Sequence, residues 1–363
     1  MKKIFFILSL LLIMACEGAH KGYFIEGKVT KEEAPIKKGV VYLRELSNRS
    51  VPVDSAIIKN GRFRMSGEIK FPDKYLLYIE GVPHSIPIFL ENERYKVSAS
   101  AESLRESVVT GGETQTLINI ADRENKKIID KYRLNDVIPL LIDRTTSKEV
   151  RDSAIQVMDL ANERMRSVVD SLTNISPLSY YSLNVLAETS KRADLDIVKD
   201  RFKVFQNSDL FNDHPYLNRI SEVIQIREQL KPGMIAPDFI LPEMGGREYS
   251  LAELYSKSSK TMLLFWNSMS TESIDYCNQL KPYYERYSTE GFNIITIAVG
   301  DIEISWKSVT ADHSFNWIQL FDNTRDILTN RYNITTIPYN LLIDSSGIIL
   351  EHNVSVERLS YYF

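Results

Sequence analysis

The apolar and polar positions of the chain fall into three successive patterns. From residue 23 to 110, short runs alternate apolar with polar residues, and an Asn60-Gly61 pair between two of these runs is typical of a β-hairpin. From 113 to 230, apolar residues recur every three or four positions, as they do on one face of a helix. The first pattern predicts an antiparallel, sandwich-like β domain at 23–110, and the second predicts a helical region at 113–230.

The third pattern, at 233–363, alternates strands with helices. Residues 262–266 form a continuous apolar run, which indicates a strand that is buried on both faces. A polar loop and a long segment with helical spacing lead from this run to a second apolar run at 292–299. A strand, a helix and a second strand in this order form a βαβ unit with parallel strands. This part of the chain is therefore predicted to be an α/β domain.

The first sixteen residues have the pattern of an export signal. Lys2 and Lys3 precede an apolar run at 4–14, which is too short for an ordinary membrane-spanning helix. The run ends in Ala15-Cys16, which resembles the bacterial lipobox, where a small residue precedes the cysteine that receives acyl chains. The resemblance implies that 1–16 is a lipoprotein signal peptide with its lipobox, and that acyl chains on Cys16 tether the mature chain to a membrane. A plain secretory signal with an unrelated cysteine is the alternative.

Three motifs in the last part of the chain carry a resemblance to a known family. They are a Phe-Trp pair at 265–266, Gly-x-x-Ala-Pro-Asp-Phe at 233–239, and Ile337-Pro338. Together they resemble the thioredoxin-like lipoproteins of the AhpC/TSA thiol–disulfide oxidoreductase family, the TlpA/ResA-like proteins. The resemblance implies a thioredoxin fold at 233–363, with a cis peptide bond before Pro338 that faces the active-site motif. Separately, the residues at 39–43, 54–56, 60–63 and 89–91 resemble a β-sandwich-like domain of unknown function that precedes such domains.

This family carries a Cys-x-x-Cys motif at the start of the helix that follows the Phe-Trp pair. The resemblance aligns that motif with 270–273, where both cysteine positions hold serine, Ser270 and Ser273. A serine hydroxyl does not ionise there without a general base, and oxygen forms no stable counterpart of a disulfide. Serine does cap helix N-termini. We therefore expect the two serines to begin the helix; a catalytic serine is the alternative, although no suitable base is visible nearby.

Cys277 is the only thiol left if Cys16 carries lipid, because the chain has two cysteines. One thiol cannot form an intramolecular disulfide. Cys277 lies four residues after Ser273 on the same helix face, where family members pack against the sheet, so we expect it to be buried and inert. A peroxidatic or redox-sensing thiol is the alternative. Peroxidases of this family place a threonine three residues before their cysteine, where this chain has Ile274.

Without its cysteines, the family site would retain a groove. In active relatives the backbone before the cis proline holds an extended peptide by strand-like pairing. We expect this groove to be lined by five residues, Trp266, Met269, Ile337, Pro338 and Tyr339. The leading hypothesis is a redox-inactive, membrane-tethered binding or scaffold lipoprotein in the envelope of a Gram-negative-type bacterium, on the outer membrane or the periplasmic face, with a peptide or an envelope protein as partner. The alternative is a thiol–disulfide oxidoreductase or peroxidase that acts through Cys277.

Composition excludes some other classes of function. The net charge of −4 and the pI near 5.9 argue against a general nucleic-acid-binding role. The five histidines are scattered without the spacing of zinc ligands, so we expect no metal site and no cofactor. His313 and His352, the two histidines of the C-terminal part, are expected to lie on the surface.

Overall fold

The computed structural model describes residues 22–143, 145–324 and 326–363. The predicted signal peptide and the lipidation site Cys16 lie outside these residues. The chain divides into two compact units, Met1–Val185 and Leu186–Phe363. The boundary falls inside a helix, so the helical residues at 113–230 are shared between the two units. No helix in the described part of the chain is both long and apolar enough to cross a membrane.

The first unit begins with nine strands that form one hydrogen-bonded sheet. Its strands are β1 Tyr23–Lys31, β2 Ala34–Pro35, β3 Lys38–Glu45, β4 Asp54–Lys59, β5 Arg62–Gly67, β6 Asp73–Ile79, β7 Ile86–Leu90, β8 Arg94–Ser100 and β9 Val108–Thr110. They lie in the order β7-β6-β3-β4-β5-β1-β8-β9, with β2 paired to β1. All pairs are antiparallel except β1 with β8. Apolar side chains from strands along the whole path meet in one core.

The predicted hairpin at Asn60-Gly61 is confirmed. Strand β4 ends at Lys59, β5 begins at Arg62, and these two residues pair across the turn. Asn60 and Gly61 have φ angles of +48° and +71°, the left-handed values that a two-residue hairpin of this kind requires. Asn and Gly tolerate such angles better than other residues, which is why the pair is informative in a sequence.

Four helices follow the sheet, and the last of them crosses the unit boundary. They are α1 Glu113–Tyr132, α2 Leu134–Ile142, α3 Lys148–Ile175 and α4 Tyr180–Thr189. The buried carboxylate of Glu91, just after β7, accepts hydrogen bonds from the backbone N–H and the hydroxyl of Thr114, both at 3.0 Å. These bonds fix the start of α1 against the sheet. The sequence did not predict a separate helix at 134–142, because its apolar run contains Pro139. In the structure, Arg133 has left-handed backbone angles and separates α2 from α1.

The second unit contains two further helices and the α/β domain. Its elements are α5 Leu195–Gln206, α6 Pro215–Gln229, β10 Ile240–Pro242, β11 Glu248–Ser250, α7 Leu251–Tyr255, β12 Lys260–Trp266, α8 Thr271–Tyr287, β13 Phe292–Ala298, α9 Glu303–His313, β14 Ile318–Phe321, α10 Ile327–Arg331, β15 Tyr339–Asp344 and β16 Ile349–His352. A short 3₁₀ turn, Glu357–Tyr361, follows β16.

Five strands form the central sheet of this unit, in the order β14-β13-β12-β15-β16. Strand β12 is parallel to β13 and antiparallel to β15, which is the arrangement of a thioredoxin fold. Side chains of β12 alternate between two cores. Leu263 and Phe265 face one core, which also contains Leu230. Met262, Leu264 and Trp266 face the other core, which is covered by α8. The apolar run at 262–266 is continuous because both faces are covered.

Candidate functional site

The loop at 267–270 joins β12 to α8. Ser270 is the residue that caps α8: its Oγ accepts a hydrogen bond from the Ser273 backbone N–H at 3.2 Å. The same hydroxyl donates to the Glu272 carboxylate at 3.1 Å. Glu272 lies in the first helical turn, where the helix dipole favours a negative charge. The prediction that Ser270 caps the helix is confirmed.

Ser273, in the first turn of α8, is fully buried. Its Oγ accepts a hydrogen bond from the backbone N–H of Asn267 at 3.4 Å. Among the described residues, the hydrogen-bond partners of the two serine hydroxyls are backbone N–H groups and one carboxylate, and none is a histidine. A serine nucleophile needs an adjacent base to remove its proton, so this arrangement does not support the catalytic-serine alternative.

A second set of hydrogen bonds holds the same loop to the end of the neighbouring strand. Asp301 accepts hydrogen bonds from the backbone N–H of Ser268 at 2.5 Å and from its hydroxyl at 2.8 Å. The Asn267 side chain donates to the carbonyl oxygens of Val299 and Gly300, both at 3.0 Å. Sequence reasoning missed Asp301. The available signal was its place directly after the second of two parallel strands, whose carboxyl ends meet at one sheet edge.

Cys277 is fully buried in the core between α8 and the sheet. Burial raises the pKa of the Cys277 thiol to about 12, although Lys281 one turn later partly opposes this shift. Thiol chemistry requires the thiolate and access to it, and this thiol has neither near neutral pH. The prediction that Cys277 is buried is confirmed, and its inertness stays a prediction.

The Ile337–Pro338 peptide bond is cis, as predicted. Phe265 pairs with Tyr339 across β12 and β15, so Pro338 lies at the same end of the sheet as the serine loop. Met269 is 66% exposed in that loop. These positions are compatible with a groove lined by Met269, Ile337 and Pro338.

Trp266 does not line this groove, and that prediction is wrong. Its side chain is fully buried and packs edge-on against Phe315, with ring centroids 5.8 Å apart. The alternation along β12 directs Trp266, like Leu264, into the core beneath α8. Tyr339 also faces inward for much of its length, against Phe265 on the opposite sheet face.

The backbone of the cis-proline loop remains available on one side. No hydrogen bond from the described residues reaches the backbone groups of Thr336 or Ile337. The preceding carbonyl, of Thr335, accepts a hydrogen bond from the Arg192 guanidinium at 3.2 Å. Asn333 donates to the carbonyl of Lys191 at 2.9 Å. The segment before α5 therefore anchors the beginning of the loop and leaves its end open.

His352 is half-buried beside this loop, which corrects the expectation that it lies on the surface. Its Nε2 is 2.6 Å from the carbonyl oxygen of Leu230, and its Nδ1 is 2.9 Å from the Tyr339 hydroxyl. The carbonyl can only accept, so Nε2 carries a proton and Nδ1 accepts from the tyrosine. Burial lowers the pKa of His352, and the bond to Leu230 opposes this in part. Burial also raises the pKa of Tyr339 to about 12, so both groups are neutral near pH 7.

Comparison with known families agrees with this architecture. Residues 232–352 match the AhpC/TSA family, and residues 23–118 match a domain of unknown function, DUF4369. Residues 232–352 form an AhpC/TSA family domain. In the described ranges of the chain, no group of histidine, cysteine or acidic residues is arranged to hold a metal ion.

Curated relatives of the AhpC/TSA domain are thiol–disulfide oxidoreductases. The chain is 24% identical over 129 residues to Thiol-disulfide oxidoreductase ResA of Bacillus subtilis, a match that covers 34% of this chain and 68% of that protein. It is 28% identical over 118 residues to ResA of Geobacillus kaustophilus, covering 32% of this chain and 64% of that protein. The matches therefore span about two thirds of the relatives' own length.

Solved structures of thioredoxin domains also resemble the second unit. A thioredoxin domain of a thiol-disulfide oxidoreductase from Bacteroides vulgatus aligns with 21% identity and a TM-score of 0.34, covering 37% of this chain and 95% of that chain. A thiol-disulfide oxidoreductase from Bacteroides fragilis aligns with 24% identity and a TM-score of 0.33, covering 35% of this chain and 96% of that chain.

Burial of Cys277 predicts very slow reaction with an external thiol reagent. In the folded protein, labelling at pH 8 should be at least about a thousandfold slower than in denaturant, because the thiol is exposed only when the domain opens. Mass spectrometry of the labelled chain measures both rates, and a Cys277→Ala variant gives the background. Labelling of the folded chain at a rate near that in denaturant would contradict the inert assignment.

The buried, neutral His352 predicts a loss of stability in mild acid. Its pKa is lower in the folded than in the unfolded state, so its contribution is complete above the unfolded pKa of about 6.5 and is lost as the pH falls below it. The slope for one proton cannot exceed about 1.4 kcal/mol per pH unit. Urea unfolding at pH 7.5 and 5.5 should show a smaller pH-dependent loss in His352→Gln than in the unaltered chain. The exposed His84→Gln serves as control, and equal losses in all three proteins would refute the assignment.

Proposed function

We propose that this protein is a redox-inactive, membrane-tethered member of the thioredoxin-like thiol–disulfide oxidoreductases, which binds an extended peptide or an unfolded segment of an envelope protein. The observation that carries this proposal is the chemistry at the start of α8. Both positions of the redox motif hold serine hydroxyls that are engaged in capping and loop-holding hydrogen bonds. The one thiol in the described residues is buried and has its pKa raised to about 12.

Without a dithiol, the part of the site that can still act is the peptide-binding groove. Met269 presents a flexible apolar side chain beside the loop, and methionine suits surfaces that accept varied partners. The open backbone groups of Thr336 and Ile337 offer strand-like pairing to an extended chain. Backbone pairing is independent of sequence, so the proposed ligand is defined by its extended conformation more than by its side chains.

The envelope location rests on the N-terminal segment. The lipobox-like end at Ala15-Cys16 and the basic start at Lys2-Lys3 support export followed by acylation of Cys16. Two or more acyl chains hold a protein on a membrane durably. A tethered binding domain would meet its partners at the membrane surface, on the outer membrane or the periplasmic face.

The alternative, an oxidoreductase or peroxidase that acts through Cys277, gains no support from the geometry. Cys277 lies in the core between α8 and the sheet. Protein cores are close-packed, so a substrate could reach the thiol only if α8 moved away from the sheet. The capping residue Ser270 also lies seven residues before Cys277, about two helical turns away, so the helix dipole has little effect on this sulfur.

The proposal predicts that the chain does not reduce disulfides. With dithiothreitol present, insulin reduction should stay at the rate without protein, and without dithiothreitol no mixed disulfide should form with a disulfide substrate. A Ser270→Cys/Ser273→Cys variant restores the spacing at a helix N-terminus, where the dipole lowers the pKa of the first thiol, and should turn over. The variant with both cysteines is therefore the positive control for the assay. Turnover by the chain with both serines would overturn the inactive assignment.

Peptide binding at the groove predicts sensitivity to a charge at Met269. A fluorescent, S-alkylated insulin B chain is extended and cannot exchange disulfides, so its anisotropy reports binding alone. Met269→Asp should weaken binding by at least about tenfold, because the charge would be buried against an apolar ligand. Met244→Asp, at another exposed methionine of the same unit, is the matched control. Equal binding by the two variants would place the peptide elsewhere.

A further inference from the structure

A polar cleft of about 390 Å³ lies beside the first residue of β15. Two of its lining residues, Leu230 and Tyr339, belong to the core on the sheet face that α8 does not cover. The cleft is therefore separate from the serine loop and from Met269. Three cationic side chains line it, those of Arg192, Arg227 and Lys231, together with a single carboxylate, that of Asp194.

The local hydrogen bonds leave a surplus of positive charge in this cleft. The Asp194 carboxylate caps α5 by accepting the backbone N–H groups of residues 196 and 197, at 3.0 and 3.1 Å. Lys231 pairs with Glu228 at 3.0 Å. Neither Arg192 nor Arg227 forms an ion pair within the described residues. The two guanidinium groups are thus the charges that local carboxylates leave unmatched.

Both arginines also retain free donors. Arg227 donates from Nη1 to the carbonyl oxygen of Ser190 at 2.6 Å, and Arg192 donates from Nη2 to that of Thr335 at 3.2 Å. A guanidinium has five N–H groups, so most donors of each side chain remain available. Burial lowers the pKa of Arg227, and the nearby Asp194 charge offsets this in part. A partly desolvated cation of this kind is stabilised by an anion that binds beside it.

The other lining residues are mixed: Asn333, His352 and Asn353 are polar, and a second group supplies apolar surface. Leu195, the buried Leu230 and the ring of Tyr339 lie alongside the charged groups. Inorganic phosphate has no apolar group to place against these side chains, whereas a carboxylate attached to a hydrocarbon side chain does. Planar guanidinium groups also match the geometry of a carboxylate.

We infer that this cleft binds the carboxylate of an apolar amino-acid derivative, either a small free acid or the C-terminus of a peptide, through Arg192 and Arg227. The cleft adjoins the cis-proline loop through Arg192 and Tyr339, but Met269, Ile337 and Pro338 are not among its lining residues. The ligand carboxylate would neutralise the positive charge of the two guanidinium groups. The apolar side chain of the ligand would cover Leu195 and the Tyr339 ring.

Isothermal titration of the full chain with three probes tests this inference. The probes are N-acetyl-leucine, the peptide Ala-Ala-Ala-Ala-Leu with a free carboxylate, and the same peptide as its C-terminal amide. At least one acid should bind with a Kd below about 1 mM, and the amide should bind at least about tenfold more weakly. Tighter binding of the peptide than of N-acetyl-leucine identifies a peptide C-terminus, and equal binding identifies a small acid.

Variants assign the binding to the two arginines. Arg192→Gln and Arg227→Gln should each raise the Kd at least about tenfold, whereas Arg219→Gln, on α6 but outside the cleft, should leave it unchanged. Arg227→Lys keeps the charge and tests the site if loss of the Ser190 contact prevents folding. Met269→Asp should also leave acid binding unchanged, which separates this cleft from the groove. Equal binding of acid and amide, no binding of either acid at 10 mM, or an unaltered Kd in the arginine variants would overturn the inference.

Discussion

The arrangement at the start of α8 depends on serine hydroxyls that act as hydrogen-bond acceptors. A hydroxyl is a strong hydrogen-bond acceptor and a thiol a weak one. Ser270 and Ser273 use that capacity to satisfy N–H groups that the helix start and the loop would otherwise leave unpaired. Asp301 extends the same bonding to Ser268. The loop is thus held by hydrogen bonds from three residues, Ser270, Ser273 and Asp301.

The cis-proline loop shows the complementary situation, because its beginning is fixed and its end is free. Arg192 and Asn333 tie the loop to the segment before α5, while Thr336 and Ile337 keep their backbone groups open. The helices of the second unit therefore position the loop, and the sheet positions the serines opposite to it. A binding surface needs this combination of a rigid frame and unsatisfied groups at the contact.

Local signals in the sequence were sufficient for several features. Asn60-Gly61, the capping serine at 270 and the bond before Pro338 follow from residues adjacent in the chain, or from a resemblance carried by such residues. Features that depend on tertiary contacts were missed. A strand that is apolar on both faces hides the alternation that sends Trp266 inward. His352 is half-buried where its side chain meets the carbonyl oxygen of Leu230, a residue more than a hundred positions earlier in the chain.

The same reasoning explains why the cationic cleft could not be found in the sequence. Arg192 and Arg227 come from the helical region, and Tyr339 comes from the far end of the α/β domain. Each arginine alone reads as a solvated charge on a helical segment. Only the fold reveals that the nearby carboxylates are already committed, Asp194 to a helix cap and Glu228 to lysines. Charge balance is a property of the assembled site, so an unmatched pair of guanidinium groups becomes evident only when every neighbouring acid has been assigned a partner.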